Sequence, residues 1–186
     1  MKTWAKLIGG AYDPANIDDY RGDFRAERIT RNSVTYFNPQ TNEVVIAFRG
    51  TQATNTLDLL SDYNIAKGGA PIMRYNFGEY ELAQAKASHP DAKMIVAGHS
   101  LGGNVSHHLG TKYGIESHSY AVGSTPYTWF SMKRGNSKNK IYHAGVFDPL
   151  SVSSRLLSGE HIYSAPLRGH ALSNFILDTQ QEEDGE

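Results

Sequence analysis

Two continuous apolar runs stand out in the hydrophobic pattern of the chain, at residues 44–48 and 94–97. Both contain β-branched residues and neither alternates with polar positions, which is typical of strands buried on both faces of a sheet. Shorter apolar or alternating patterns between turn-forming residues predict further strands, at 33–37, 117–122, 140–147 and 161–165.

Helical patterns lie between these strands. Apolar residues at helical spacing predict a helix over residues 72–88. It follows the helix-breaking segment Gly-Gly-Ala-Pro at 68–71 and ends at His89-Pro90. A second helix is predicted over 101–113 and a last one over 169–177, whereas residues 1–30 are expected to hold a short helix and little else. Strands that alternate with helices predict an α/β fold, with a mostly parallel central sheet and helices on both faces.

Composition limits the classes of protein that need consideration. The chain has 186 residues, 39% hydrophobic and 20% charged, which fits one globular domain over residues 1–179. The acidic segment 180–186 is expected to be a disordered tail. The formal net charge of -1 gives no overall field that would attract nucleic acid.

Cysteine and targeting signals are missing from the sequence. Without cysteine there is no disulfide and no thiol nucleophile. The first residues lack the apolar core of a signal peptide, and no apolar run reaches the about 20 residues that span a bilayer. A cytoplasmic location is therefore the default expectation.

The segment Gly98-His99-Ser100-Leu101-Gly102 joins the predicted strand at 94–97 to the predicted helix at 101–113. A Gly-x-Ser-x-Gly sequence between a strand and a helix is the pattern of a nucleophile elbow, which exposes a serine hydroxyl on a sharp turn. Gly98 and Gly102 lack a β-carbon, so strand and helix can pack closely around that turn. Ser100 is thus the candidate nucleophile.

A serine nucleophile needs a base, and the base needs a group that orients it. In proteins with this elbow the acid and then the histidine follow the serine along the chain. Asp148 directly follows a predicted strand, where ligand crevices of such sheets lie; the alternative is a simple Asp-Pro turn residue. For the histidine, His170 in a loop is favoured over His161 within a strand, although a surface position is the alternative for His170.

An oxyanion hole requires N–H groups that point to one place. The backbone N–H of Leu101, directly after Ser100, is one candidate. The second is expected in Arg49-Gly50-Thr51, after the strand at 44–48, with Thr51 as the donor. The alternative for this stretch is an ordinary turn.

Taken together, these segments resemble the class 3 lipases, the fungal triacylglycerol lipase family. The similarity is collinear over residues 34–175 and is carried by the following segments: 45–51, Asp62, 98–103, Gly123-Ser124, Asp148-Pro149-Leu150 and 169–175. The resemblance implies a compact α/β-hydrolase fold. It also implies specific roles: a triad of Ser100, Asp148 and His170, an oxyanion hole of Thr51 and Leu101, and an aspartate, Asp62, that buttresses the oxyanion loop.

Two departures from the family pattern affect the expected function. The segment in the place of a lid, residues 52–61, is mostly polar and has no tryptophan, so weak interfacial activation is expected. The loop that is usually Gly-Ser-Pro reads Gly-Ser-Thr-Pro at 123–126.

The sequence therefore predicts a serine hydrolase that acts on lipid esters, as a lipase or a phospholipase A. The alternatives are an esterase or acyltransferase for a small soluble ester, and a catalytically silent hydrolase fold that binds lipid. No cofactor is expected, and the adjacent His107 and His108 do not have zinc-ligand spacing. The expected partner is a lipid or other ester substrate, and a transient contact with a membrane surface stays open. The basic segment 133–140 is expected to be a solvated loop, and the alternative is a patch that contacts anionic lipid headgroups. The oligomeric state also stays open.

Overall fold

The computed structural model describes residues 4–51, 70–122, 138–143, 154–155, 157, 159–163, 171–173 and 175–176. Within them the strands are β1 Arg25–Ile29, β2 Ser33–Asn38, β3 Glu43–Phe48, β4 Lys93–His99, β5 Glu116–Tyr120, β6 Asn139–His143 and β7 Glu160–Tyr163. The helices are α1 Trp4–Tyr12, α2 Asp18–Arg21, α3 Ala70–Ser88 and α4 Leu101–Tyr113, with a 3₁₀ helix at Pro14–Asn16.

All seven strands form one sheet, and their order in the sheet is their order in the chain. β1, β2 and β3 pair antiparallel through short turns, whereas β3 to β7 are parallel. Parallel neighbours need a crossover, which α3 supplies between β3 and β4 and α4 supplies between β4 and β5. Since both crossovers advance in the same direction across the sheet and share one handedness, both helices lie on the same face.

The side chains of the central strands alternate between two hydrophobic cores. Val44, Ile46 and Phe48 pack with apolar residues of α3 and α4. Val45 and Ala47, on the opposite face, pack with α1 and with Phe175 near the end of the chain. The predicted α/β architecture, with a mostly parallel sheet and helices on both faces, is confirmed.

Two local features differ from the sequence prediction. β1 was not expected, because Arg25–Ile29 is an edge strand with mostly exposed side chains and so carries no burial pattern. The turn predicted at 68–71 ends earlier than expected, because α3 already begins at Ala70. Pro71 lies in the first turn of this helix. Proline is tolerated there because the N–H groups of the first turn have no partner within the helix.

Other predictions fall on residues outside the described ones, including the lid-like segment 52–61, the tail 180–186 and residues 169–170, 174 and 177 of the last predicted helix. Among the described helices, none is long and apolar enough to cross a membrane.

Candidate active site

Ser100 lies at the junction of β4 and α4 with an unusual backbone conformation. Its φ is 57° and its ψ is -120°, a region that non-glycine residues rarely occupy and that requires support from the surrounding structure. The Ser100 N–H donates to the carbonyl of Tyr120 at 2.9 Å, and its own carbonyl accepts from the Asn104 N–H at 3.1 Å. The end of β5 and the first turn of α4 therefore hold the strained serine from both sides.

The two glycines of the motif lie where no β-carbon fits. A Cβ added at Gly98 would overlap the carbonyl oxygen of Gly102, and a Cβ at Gly102 would overlap that of Phe48. The backbones of β3, β4 and α4 are thus in direct contact at the elbow. This close packing is the physical reason for glycine at both positions.

The segment after β3 lies against the nucleophile. A Cβ built on Gly50 would lie 2.9 Å from the Ser100 Cβ and 2.9 Å from the carbonyl oxygen of His99. Thr51 follows directly. Leu101, next to Ser100, is the first residue of α4, so its N–H has no partner within the helix and lies at the positive end of the helix dipole.

Tyr12, at the end of α1, connects the two sides of this region. Its hydroxyl accepts a hydrogen bond from the Gly50 N–H at 2.8 Å and lies 2.9 Å from Nδ1 of His99. Donation from the phenol to Nδ1 fits a neutral His99 whose proton is on Nε2. Burial raises the pKa of Tyr12 to about 12, so the phenol stays protonated and keeps this donor role at neutral pH.

The role of Tyr12 was not predicted from the sequence. Its partners Gly50 and His99 are 38 and 87 positions away, and no motif contains it. His99 is buried, and it orients Tyr12 and through it the Arg49-Gly50-Thr51 segment.

α3 contacts the first turns of α4 close to the elbow. The Tyr75 hydroxyl donates to Oδ1 of Asn104, and the Tyr75 ring stacks on His108 with ring centroids 4.1 Å apart. Asn104 is the residue whose N–H caps the Ser100 carbonyl. Tyr75 thereby fixes the side of α4 that carries the nucleophile.

The alternative base, His161, lies on β7, the last strand in the sheet order, and both its ring nitrogens are engaged. Its Nδ1 is 2.7 Å from Nε2 of His143, and its Nε2 is 2.8 Å from the Leu157 carbonyl oxygen. Since a carbonyl only accepts, Nε2 of His161 carries the proton. The other predicted site residues, Asp62, Asp148 and His170, lie outside the described residues.

The fold is that of the class 3 lipases of fungi, in agreement with the resemblance found in the sequence. A triacylglycerol lipase from Penicillium expansum is 16% identical, with 88% of this chain and 77% of that chain covered and a TM-score of 0.55. The triacylglyceride lipase of Rhizomucor miehei is 12% identical, over 87% of this chain and 77% of that one, with a TM-score of 0.54. Lipase II from Rhizopus niveus is 13% identical, over 89% and 80%, with a TM-score of 0.53.

No family model matches the sequence, and no curated protein matches it. At these identities the structural likeness establishes the fold. The function has to be argued from the site.

Proposed function

We propose that this protein is a serine carboxylic ester hydrolase that acts on lipid esters. Ser100 attacks the ester carbonyl, His170 takes the serine proton and returns it to the leaving alcohol, and Asp148 orients His170. The resulting acyl-enzyme is hydrolysed by water through the same base. The N–H groups of Leu101 and Thr51 stabilise the oxyanion.

One observation carries this proposal, the backbone of Ser100. A non-glycine residue at a φ of 57° between a buried strand and a helix has a structural cost of about 1–3 kcal/mol. An ordinary strand-to-helix turn would have glycine or asparagine at such a position, because these residues adopt positive φ with less strain. A serine at this strained position is explained if its hydroxyl is needed as the nucleophile of an active site.

Two further features support the proposal. Gly50 is in contact with Ser100. The proposed oxyanion donor, Thr51, directly follows Gly50 in the chain. The two hydrogen bonds of His161 leave it without a ring nitrogen for Ser100, which favours His170 as the base. Lipid esters are the preferred substrates because the proteins with this fold reported above are lipases.

The experiment that tests the proposal combines labelling and turnover. An organophosphonate ester probe is expected to modify Ser100 alone in the wild-type protein, as read by mass spectrometry of the digested protein. Ser100→Ala should abolish both labelling and ester hydrolysis, whereas Ser88→Ala, at an exposed position at the end of α3, should retain both. Labelling that persists in Ser100→Ala would contradict the assignment.

The substrate class is tested with the same variants. Purified protein is assayed on short-chain, long-chain and phospholipid esters. Hydrolysis confined to small soluble esters would favour the esterase alternative. No hydrolysis of any ester, together with binding of lipid, would favour a catalytically silent fold.

A further inference from the structure

Three arginines from different elements lie near the end of β3. Arg49 directly follows β3, Arg31 lies in the turn between β1 and β2, and Arg74 is on α3. The Arg49 N–H donates to the carbonyl of Asn32 at 3.1 Å, which fixes the turn that carries Arg31 against the end of β3. After burial, the charges of Arg49 and Arg31 lower the pKa of Arg74, so Arg74 is within electrostatic range of both other arginines.

This arginine group, Arg31, Arg49 and Arg74, adjoins the oxyanion side of the elbow. Arg49 precedes Gly50, which contacts Ser100. Arg49 and Arg74 both act electrostatically on the Tyr12 hydroxyl, the group that accepts the Gly50 N–H. The positive charge is therefore concentrated beside the place where an ester carbonyl would meet Ser100.

The arginine group differs from the three other arginines that precede β2, each of which has a carboxylate partner. These pairs are Arg21 with Asp18, Arg25 with Glu27, and Arg28 with Glu81. Among the residues that the structure describes, no carboxylate contacts Arg31, Arg49 or Arg74.

Two members of the group, Arg49 and Arg74, are partly buried, and no carboxylate among the described residues contacts them. The Nε of Arg49 is buried and has no hydrogen-bond partner within the described part of the chain. Arg74 is partly buried, and burial followed by the charge of Arg49 lowers its pKa. Leaving a buried donor unsatisfied is unfavourable, and crowding like charges adds to this, so the arrangement is explained if an anion binds there.

A phosphate fits this group better than other common anions. A guanidinium presents a rigid set of N–H donors that matches phosphate oxygens, and such charge-assisted hydrogen bonds are strong. Phosphate has enough oxygens to engage three guanidinium groups at once. In a glycerophospholipid the phosphate and the sn-2 ester are on adjacent glycerol carbons, so one molecule can reach both the arginine group and Ser100.

We propose that Arg31, Arg49 and Arg74 form a subsite for the phosphate group of a phospholipid ester whose acyl carbonyl is presented to Ser100. This inference rests on the proposed function and deepens it, because it assigns the substrate class. The subsite draws on local charge alone, since the formal net charge of the whole chain is -1.

The test compares two substrates that differ in the phosphate. A short-chain phosphatidic acid and the diacylglycerol with the same acyl chains are assayed, both below their micellar thresholds. In Arg74→Gln the ratio of kcat/KM for phosphatidic acid to kcat/KM for diacylglycerol is expected to fall about tenfold or more, because a charge-assisted contact is lost. Arg74→Lys should recover part of the ratio, and Arg25→Gln, whose arginine is 65% exposed, should leave it unchanged.

Free phosphate and the chain's own carboxylates are the competing occupants. Inorganic phosphate that inhibits the wild type more than Arg74→Gln, with no effect of the variant on the substrate ratio, would show a site for free phosphate and overturn the headgroup assignment. If carboxylates of the chain covered the group, Arg74→Gln would lower the melting temperature and leave the ratio unchanged, which also overturns the inference.

Failure of this inference can be distinguished from failure of the proposed function. Ser100-dependent hydrolysis of diacylglycerol with no change of ratio in Arg74→Gln would leave the ester hydrolase standing and remove the subsite. If no ester were hydrolysed, calorimetric titration of phosphatidic acid into wild type and Arg74→Gln would still decide the subsite. Equal affinities would overturn it, and binding weakened about tenfold by the variant would support it.

Discussion

The hydroxyl of Tyr12 lies 2.9 Å from Nδ1 of His99, across 87 positions of sequence. The same hydroxyl holds the Gly50 N–H at 2.8 Å. The end of α1 thereby links the residue before the candidate nucleophile to the segment that carries the candidate oxyanion donor. Tyr12 does not touch the reacting atoms, so it is a positioning residue.

Replacing Tyr12 with phenylalanine is expected to lower kcat more than it raises KM. The Gly50 N–H and His99 Nδ1 would lose their partner, which destabilises the protein by about 1–3 kcal/mol and lets the Arg49-Gly50-Thr51 segment shift. Since an oxyanion donor acts mainly in the transition state, a decrease of about tenfold in kcat is expected. Steady-state kinetics on a soluble ester measures it.

Tyr36→Phe is the matched control for this change. Tyr36 is also buried and donates to the Leu7 carbonyl at 3.0 Å, but it lies away from the elbow. It should lose comparable stability in urea denaturation and keep its kcat. Equal losses of kcat in both variants would mean that Tyr12 has only a structural role.

The glycines of the elbow predict a graded response to alanine. A Cβ at Gly98 would overlap the backbone of Gly102, whereas a Cβ at Gly103 would meet its nearest atom, the Tyr120 carbonyl oxygen, at 3.1 Å. Gly98→Ala should therefore prevent close packing of β4 on α4 and abolish folding or activity. Gly103→Ala should fold with a modestly lowered melting temperature; equal stability of the two variants would contradict the described packing.

The elements around the elbow were predictable because their signals are local. The apolar runs of β3 and β4 lie between turn residues, and α4 has the predicted bounds Leu101–Tyr113. Gly-x-Ser-x-Gly also specifies its own backbone contacts, since only glycine fits at Gly98 and Gly102. The local sequence pattern was sufficient to predict a strand wherever burial on both faces of the sheet requires a continuous apolar run.

The parts that were not predicted depend on contacts between distant residues. β1 is stabilised by pairing with β2 rather than by burial of its own side chains. Tyr12 and the arginine group acquire their roles only when α1, α3 and the end of β3 meet. The hydrophobic periodicity of the sequence carries no information about contacts between distant elements, so these roles became visible only in the structure.

The stability of the protein is expected to fall in acid in two steps. Burial lowers the pKa of His118 below its ordinary value of 6.5, so protons bind more readily to the unfolded chain. This contribution to stability is complete above about pH 6.5 and is lost as the pH falls from that value through the lower pKa of the folded state. Burial of His108 acts in the same direction.

The second step comes from Glu116. Hydrogen bonding to His118 at 2.8 Å and to Lys93 lowers the pKa of Glu116 to about 2, so its contribution is present above about pH 4.5 and is lost between that value and about pH 2. Urea denaturation over this pH range measures both steps. Glu116→Gln should remove the lower step and retain the upper one, whereas Glu160→Gln, at an exposed carboxylate, should retain both.

Weak interfacial activation is the last prediction, and it rests on the sequence of residues 52–61. A lid that is attracted to lipid needs a broad apolar stripe, which is hidden in water and exposed at the interface. In this segment only Leu57, Leu59 and Leu60 are large and apolar, which gives at most a narrow stripe. The site is therefore expected to be at least partly open in water.

The rate of hydrolysis of a short-chain ester, measured through its micellar threshold, decides the point. A hyperbolic curve with substantial rates below the threshold is expected, because substrate reaches Ser100 without an interface. Leu57→Ser serves as the matched variant: it should leave such a curve unchanged in shape, since no apolar lid has to move. A near-zero rate below the threshold and a steep rise above it, weakened by Leu57→Ser, would show that residues 52–61 close the site in water and open at the lipid surface.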